Sequence, residues 1–343
     1  MTKTALSTPA ITRPAPLYPL VILLLMTLLV LIAFSLALGK VDIPFFAAIR
    51  GIFADDPPLT SILLAEIRLP RTLLAILVGG SLGLAGAALQ GLLRNPLAAP
   101  GLIGISSSAA LGSVLVFYFG FAETFFLALP MGGVAGALLV VLLIYGIAGR
   151  DASILTLILA GVAISSFASA LTSLALNLAP SPYAAYEIVF WILGSVADRS
   201  FDHVAFVTPL MAIGWILLLR TGRALDALSL GEETASTLGF HLPQVRFSVI
   251  VGTALAVGAA VSVTGVIAFV GLVVPHLLRP LVGHQPSRLL GVSALGGAIL
   301  LLAGDIAVRV FSPGLELKLG VLTAMIGAPF FLYLILKTRR EMR

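Results

Sequence analysis

The sequence predicts an all-α fold, a polytopic membrane protein with about ten transmembrane helices, and three observations lead there. Of its 343 residues, 59% are hydrophobic and only 10% charged, against about 25% charged in an ordinary soluble domain. The apolar residues gather in windows that approach the roughly 20 residues a helix needs to cross a bilayer. Thirty-four glycines and twenty prolines would break up a soluble bundle. Membrane helices tolerate both, because neighbouring helices satisfy the backbone groups that such residues release.

Residues 1–16 read as a cytoplasmic tail carrying Lys3 and Arg13, and the uncharged run 17–38 reads as the first span. A cleaved signal peptide ending near Ala37 is the alternative, but the run is longer than the roughly 7 to 15 residues of a signal core. An outer loop, 39–71, follows with Lys40, Asp42, Arg50, Asp55, Asp56, Glu66, Arg68 and Arg71. Further apolar windows lie at 72–92, 101–119, 124–147, 152–177, 204–219, 247–264, 266–280, 289–308 and 319–336. The whole of 17–336 is thus one transmembrane domain, closed by a short cytoplasmic tail, 337–343. The window 266–280 is short and holds Gly271, Pro275, His276 and Arg279. It is either a full span or a broken, re-entrant one, and the side on which the C-terminus lies depends on which.

With ten crossings and both termini in the cytoplasm, thirteen Lys and Arg fall on the cytoplasmic side and seven (Lys40, Arg50, Arg68, Arg71, Arg199, Arg309 and Lys318) on the outer side, the bias expected of a membrane protein. The net charge of +5 therefore reflects orientation, and nucleic acid is not an expected partner. Two connections are long: an outer stretch with a short amphipathic helix at 178–200, and a cytoplasmic segment at 220–246. In the second, Gly231 and Gly239 bracket a short helix with Glu232 and Glu233 at its start, where the helix dipole favours carboxylates.

The absence of cysteine removes disulfides, thiol nucleophiles and cysteine-ligated metal sites. No phosphate-binding loop occurs, so any ATP chemistry belongs to another chain. His203, His241, His276 and His284 form no ligand pair, so neither metal nor cofactor is expected. Asp305 stands four residues before Arg309, close enough on a helix for a structural ion pair or, alternatively, a proton relay. Ser165, Ser169, Thr172 and Ser173 make one helical stripe that either lines an aqueous path or bonds a neighbouring helix or its own backbone. Ser106, Ser107 and Ser108 with Gly104 and Gly112 favour close helix packing. Arg94-Asn95-Pro96 ends the second span as a turn with a cytoplasmic anchor.

Several segments, in order, resemble the FecCD family of permeases, the membrane subunits of ABC importers for iron chelates, haem and cobalamin. They are Arg68-Leu69-Pro70-Arg71, Gly86-Ala87-Ala88-Leu89-Gln90 running into Arg94-Asn95-Pro96-Leu97-Ala98, and Pro100-Gly101-Leu102-Ile103-Gly104. Beyond these come Phe190-Trp191-Ile192-Leu193-Gly194-Ser195, the 231–239 loop, the run 265–279, Ala303-Gly304-Asp305 with Arg309, and 320–329.

The resemblance implies the type II importer permease fold: ten helices per subunit, a homodimer of permeases forming the path, two cytoplasmic ATPase subunits and a periplasmic substrate-binding protein. It implies that Leu230, Gly231, Glu232, Glu233, Thr234, Ala235, Leu238 and Gly239 dock in an ATPase groove. It also implies that Arg68, Arg71 and Arg309 meet carboxylates of the binding protein, with snorkelling at the membrane interface as the competing role. Where many relatives have Glu-Leu-Pro-Ile-Gly, this chain has Glu316-Leu317-Lys318-Leu319-Gly320, which adds an outer cation.

The expectation is therefore a non-enzymatic, cofactor-free permease subunit in a bacterial inner membrane, importing an iron(III)-siderophore, with cobalamin or haem as alternative cargoes. A proton- or sodium-driven secondary transporter is the rival of another class. An intramembrane enzyme would need an acid–base or nucleophilic set that the sequence lacks.

Overall fold

The structure, a computed structural model, describes residues 16–39, 50–51, 54, 58–149, 153–311 and 317–341. The N-terminal tail to residue 15, Lys40, Asp42, Asp55, Asp56, Arg150, Glu316 and Arg343 lie outside the described residues, and so does most of the first outer loop.

Among the described residues every regular element is helical. Helix α1 (Tyr18–Ala37) is followed by α2 (Leu59–Leu92), α3 (Ile105–Tyr118), α4 (Ala128–Ala148), α5 (Ile154–Asn177) and a short α6 (Pro182–Ile192). Then come α7 (Phe201–Arg220), the short α8 (Gly222–Leu228) and α9 (Glu232–Thr237), α10 (Leu242–Thr264), α11 (Val270–Leu278), α12 (Pro286–Phe311) and α13 (Leu319–Glu341). Helices α1, α2, α4, α5, α7, α10 and α12 are long and apolar enough to cross a bilayer, and α3 and the Leu319–Leu334 part of α13 are shorter apolar helices.

The interhelical contacts fix the order of passages. We call the face where α1 begins proximal and the face where it ends distal. The end of α1 is bonded to Arg68 near the start of α2 and to Arg309 near the end of α12, so α2 leaves the distal face and α12 arrives there. At the proximal face, Leu225 of α8 packs on Gly91 near the end of α2, and Ser287 at the start of α12 is bonded to Asp226 of α8.

These contacts also settle the ambiguous window. The Ser195 amide, just before α7, donates to Thr264 at the end of α10 (2.7 Å), whereas Ser287 lies beside α8, just after α7. Residues 265–285 therefore travel the length of the 20-residue α7, about 30 Å at 1.5 Å per residue. They do so with a nine-residue helix, which covers only about 13 Å. The rest is the non-helical stretch 265–269 and a 3-10 turn at Pro280–Val282. The window is thus broken and nevertheless crosses. Among the described residues nine apolar helices and this passage make ten passages of the bundle, with the start of α1 and the end of α13 on its proximal side.

The core is built by close approach of backbones. Helix α2 is mostly buried, and it lies along α12 with Gly79 against Gly297 and Gly83 against the Ser293 carbonyl; Gly86 meets Gly271 of α11. Between α3 and α4, Gly112 faces Gly132 and Gly136 faces Ser108, the packing expected of the serine–glycine cluster. Lipid provides no hydrophobic drive for helix association, so such small-residue contacts gain dispersion instead.

A side chain at Gly83 or Gly86 would have to displace backbone. Gly83→Val and Gly86→Val are each expected to cost about 1–3 kcal/mol or more and to lower the thermal midpoint in detergent. Gly146, in α4 with no atom near its missing Cβ, is the control: Gly146→Ala is expected to leave the midpoint unchanged or raise it.

Candidate functional site

The distal face carries a charged cluster assembled from three helices. Pro70 lacks an N–H and its ring crowds the preceding turn; the six residues Leu63–Arg68 just before it widen into a π-helical turn, a local reorganisation typical of functional positions. Arg68, at the end of that turn, donates to the carbonyls of Leu36 (2.8 Å) and Ala37 (2.7 Å), two of the acceptors that the C-terminus of α1 leaves open. Arg71, one turn on, grips Asp305 with Nε and Nη2 at 2.8–3.1 Å. Arg309 takes Asp305 Oδ2 at 2.8 Å, which it shares with Arg71 Nε, and also donates to the Ser35 carbonyl (2.8 Å) and hydroxyl (2.6 Å). The Ser35 and Thr72 hydroxyls close the ring at 2.7 Å.

The Asp305–Arg309 pair expected from their four-residue spacing is present. Arg71 is a second partner that spacing could not reveal, being 234 residues away. Asp305 is 1% exposed and Arg68 7%, and all three arginines turn their donors inward. One carboxylate faces three guanidiniums, so the cluster is net positive, and the carbonyl end of α1 offsets part of that charge.

Two other distal cations are also engaged. Arg199 donates to the Val263 carbonyl at the end of α10 and to the Asp198 carbonyl. Burial pushes its pKa down, partly opposed by the Asp198 charge. The Lys318 ammonium, where the family pattern has proline, lies 3.9 Å from the centre of the Phe190 ring.

The polar stripe of α5 divides. Ser165 bonds Ser107 of α3 (2.9 Å), and Thr172 bonds back to the Ala168 carbonyl (2.9 Å). Ser169 and Ser173 are exposed, and on their side stand Ser166 and Asn177, which the sequence reading did not single out. The exposed, uncharged polar stripe is therefore Ser166, Ser169, Ser173 and Asn177, set among exposed Phe167 and Leu174.

On the proximal face, Gly231 (φ +117°) and Gly239 (φ +88°) bracket α9, adopting backbone that other residues rarely reach. Ala235 is buried beneath it, while Leu230, Glu233, Thr234 and Leu238 are exposed. The two glutamates separate: Glu232 pairs with Arg246 of α10 at 2.9 Å, and Glu233 faces outward. A pocket of 480 Å³ opens beside them between Ser236, Phe240, Pro243 and Arg246. Gln90, at the end of α2, accepts from Arg279 (2.6 Å) and donates to the Leu272 carbonyl, which ties two of the family-like segments together. The sequence reading passed over Asp226 in α8, whose carboxylate holds the start of α12.

No group of three His, Asp or Glu side chains among the described residues is placed to hold a metal ion. His203 bonds the Ser200 hydroxyl at the start of α7 (3.0 Å), and His276 stands edge-on to Phe330.

Comparison with known proteins yields consistent matches. The model of the FecCD transport family matches residues 27–337. The chain is 37% identical over 309 residues to the Fe(3+) dicitrate transport system permease protein FecD of Escherichia coli, covering 89% of this chain and 94% of that one. It is 40% identical over 275 residues to the vitamin B12 import system permease protein BtuC of Vibrio cholerae, covering 79% and 82%. A solved structure, described as an inward-facing conformation of a metal-chelate type ABC transporter, superposes with a TM-score of 0.81 at 33% identity, covering 94% of this chain and 98% of that one.

Replacing Asp305 by Asn would leave Arg71 and Arg309 without a countercharge. Removing one partner of a buried pair costs about 3–5 kcal/mol, and with the arginine side chains 20% and 11% exposed a loss near the lower end is expected. A double-mutant cycle of Asp305→Asn with Arg71→Gln, read by thermal unfolding in detergent, should give a combined loss well below the sum of the single ones.

Proposed function

Because this chain belongs to the FecCD transport family, we propose that it is the permease subunit of a bacterial ABC importer and that its cargo is an iron(III)-siderophore, moved across the inner membrane by ATP-driven alternating access. The observation that carries this reading is α9, an exposed helix bracketed by positive-φ glycines on one face of a ten-passage bundle. It is shaped to enter a groove of another protein. The proximal face is then cytoplasmic, both termini included. This agrees with charge: Arg94, Arg220, Arg223, Arg246, Arg279 and Arg288 sit at proximal ends, whereas of the described distal cations Arg68, Arg71, Arg199, Arg309 and Lys318 have partners within the chain and Arg50 is exposed.

In this reading two copies of the chain form a homodimer with the path between them. Two ATPase subunits engage the 230–239 segment through Leu230, Glu233, Thr234 and Leu238, and a periplasmic binding protein settles over the positive field of Arg68, Arg71 and Arg309. Because those guanidiniums are held inside, they would act by steering and register more than by reaching out. ATP closes the ATPases, α9 moves with them, and the dimer opens to one side at a time. The exposed stripe of α5 supplies a wall of hydroxyls and one amide without charge, suited to a bulky chelate that must not be retained. Cobalamin or haem would suit the same wall and are the alternative cargoes. ATP hydrolysis belongs to the partner chain.

The deciding experiment is uptake into proteoliposomes holding this chain, its ATPase and its binding protein, with iron-siderophore, haem and cobalamin compared with and without ATP. ATP-dependent uptake of the iron-siderophore is expected. Uptake by this chain alone, driven by a proton or sodium gradient, would favour a secondary transporter instead. In the same system Glu233→Arg with Leu238→Asp is expected to lower uptake and stimulated hydrolysis at least tenfold while the permease stays monodisperse. Undiminished stimulation would remove α9 from coupling. Glu232→Arg is expected also to loosen α9 from α10, because it breaks the bond to Arg246, seen as faster proteolysis of the 220–246 segment.

A further inference from the structure

We propose that Asp226 is a positioning residue for the transport cycle: the joint through which movement of α9 reaches α12 and, along α12, the arginine cluster on the opposite face. This inference rests on the importer reading above.

Helix α8 is wedged into the protein, with Gly222, Ala224, Leu225, Ala227 and Leu228 all buried. The backbone bonds of Leu230 to Ala227 and Gly231 to Leu228 (3.0 and 3.1 Å) make the α8–α9 turn tight, so the two short helices move as one. From the buried surface of α8, Asp226 reaches the start of α12. Its carboxylate accepts from the Ser287 amide (2.8 Å), the Ser287 hydroxyl (2.6 Å) and the Gln285 side-chain amide (3.0 Å). The Ser287 amide is one of the donors that the first turn of a helix leaves open. A carboxylate at that position is also favoured by the helix dipole and by charge-assisted bonding. Gly222 presses on Ser287 from the same side, leaving no room for a Cβ without displacement.

What α12 does with that attachment follows from its length. It continues without a proline to Asp305 and Arg309, about 27 and 33 Å from Ser287 at 1.5 Å per residue. The helix is thus held at one end by the segment facing the ATPase and at the other by the cluster that fastens α1 and α2. The second link out of α9, Glu232 to Arg246, leads into α10, which stops at Gly265, where the non-helical stretch begins. Leu225 of α8 also packs on Gly91 of α2, an apolar contact; the Asp226 joint is the hydrogen-bonded link that feeds an unbroken helix ending in the charged cluster.

The chain has no cysteine, so single labels can be placed without background. Spin labels at Thr237→Cys on α9 and, separately, at Val310→Cys on the distal end of α12 would report intersubunit distances in the reconstituted complex with and without ATP. With the native joint both distances are expected to change. In Asp226→Ala the α9 distance should still change, the α12 distance should not, hydrolysis should stay within twofold, and uptake per ATP should fall at least tenfold. Asp226→Asn, which keeps an acceptor, should restore part of the uptake. A normal α12 response or normal uptake per ATP in Asp226→Ala overturns the proposal. If that variant does not assemble, Ser287→Ala decides: about a threefold loss of uptake per ATP supports the joint, and no loss overturns it. Failure of the unmodified complex to import with ATP would instead count against the importer reading.

Discussion

One buried carboxylate, shared by two arginines, sets the relation of three helices. Asp305 is almost fully enclosed, and a lone carboxylate there would be prohibitive. Arg71 supplies a fork from α2 and Arg309 a second grip from α12 itself. Arg309 then extends to Ser35, and Ser35 to Thr72, so the register of α1 against α2 is specified hydroxyl by hydroxyl. Helix α1 needs this, because most of its surface is exposed and apolar and lipid would accept it at any height. Buried ion pairs seldom add net stability over a packed apolar alternative; here the cluster contributes position.

Elsewhere position is set by the absence of side chains. Gly194, Gly265 and Gly320 bring the end of α6, the end of α10 and the start of α13 into backbone contact, and the bonds from Val266 to Ile192 and from Gly320 to Gly194 cross that point. A Cβ at any of the three would meet a carbonyl of a neighbouring segment. The distal end of the bundle is thus pinned twice, once by charge and once by glycine.

Much of this was legible in the chain, for identifiable reasons. The helices were visible because lipid demands long apolar runs, and the Asp305–Arg309 pair because a helix brings fourth neighbours together. Segment 231–239 was visible because glycines bracket it. What depends on tertiary placement was not. Helical period put Ser165, Ser169, Thr172 and Ser173 on one stripe, but it cannot say which edge α3 covers, and so Ser166 and Asn177 were missed. Nothing local distinguishes Glu232 from Glu233 until Arg246 folds back beside the first. Arg71 and Asp226 find their partners on α12, far along the chain, and no spacing announces them.

The broken passage bears on how the protein is made. Membrane insertion reads apolar length segment by segment, and the nine residues of α11 are too few to be held in a bilayer alone. The non-helical backbone before it is admissible at that depth only because protein surrounds it: Val266 bonds Ile192, the Thr264 hydroxyl bonds the Gly265 carbonyl, and Gly271 seats on α2. Helices α10 and α12 can enter the membrane on their own hydropathy. The segment between them is instead held on its path by contacts with α2 and α6, so its place in the topology depends on tertiary packing and not on its own apolar length.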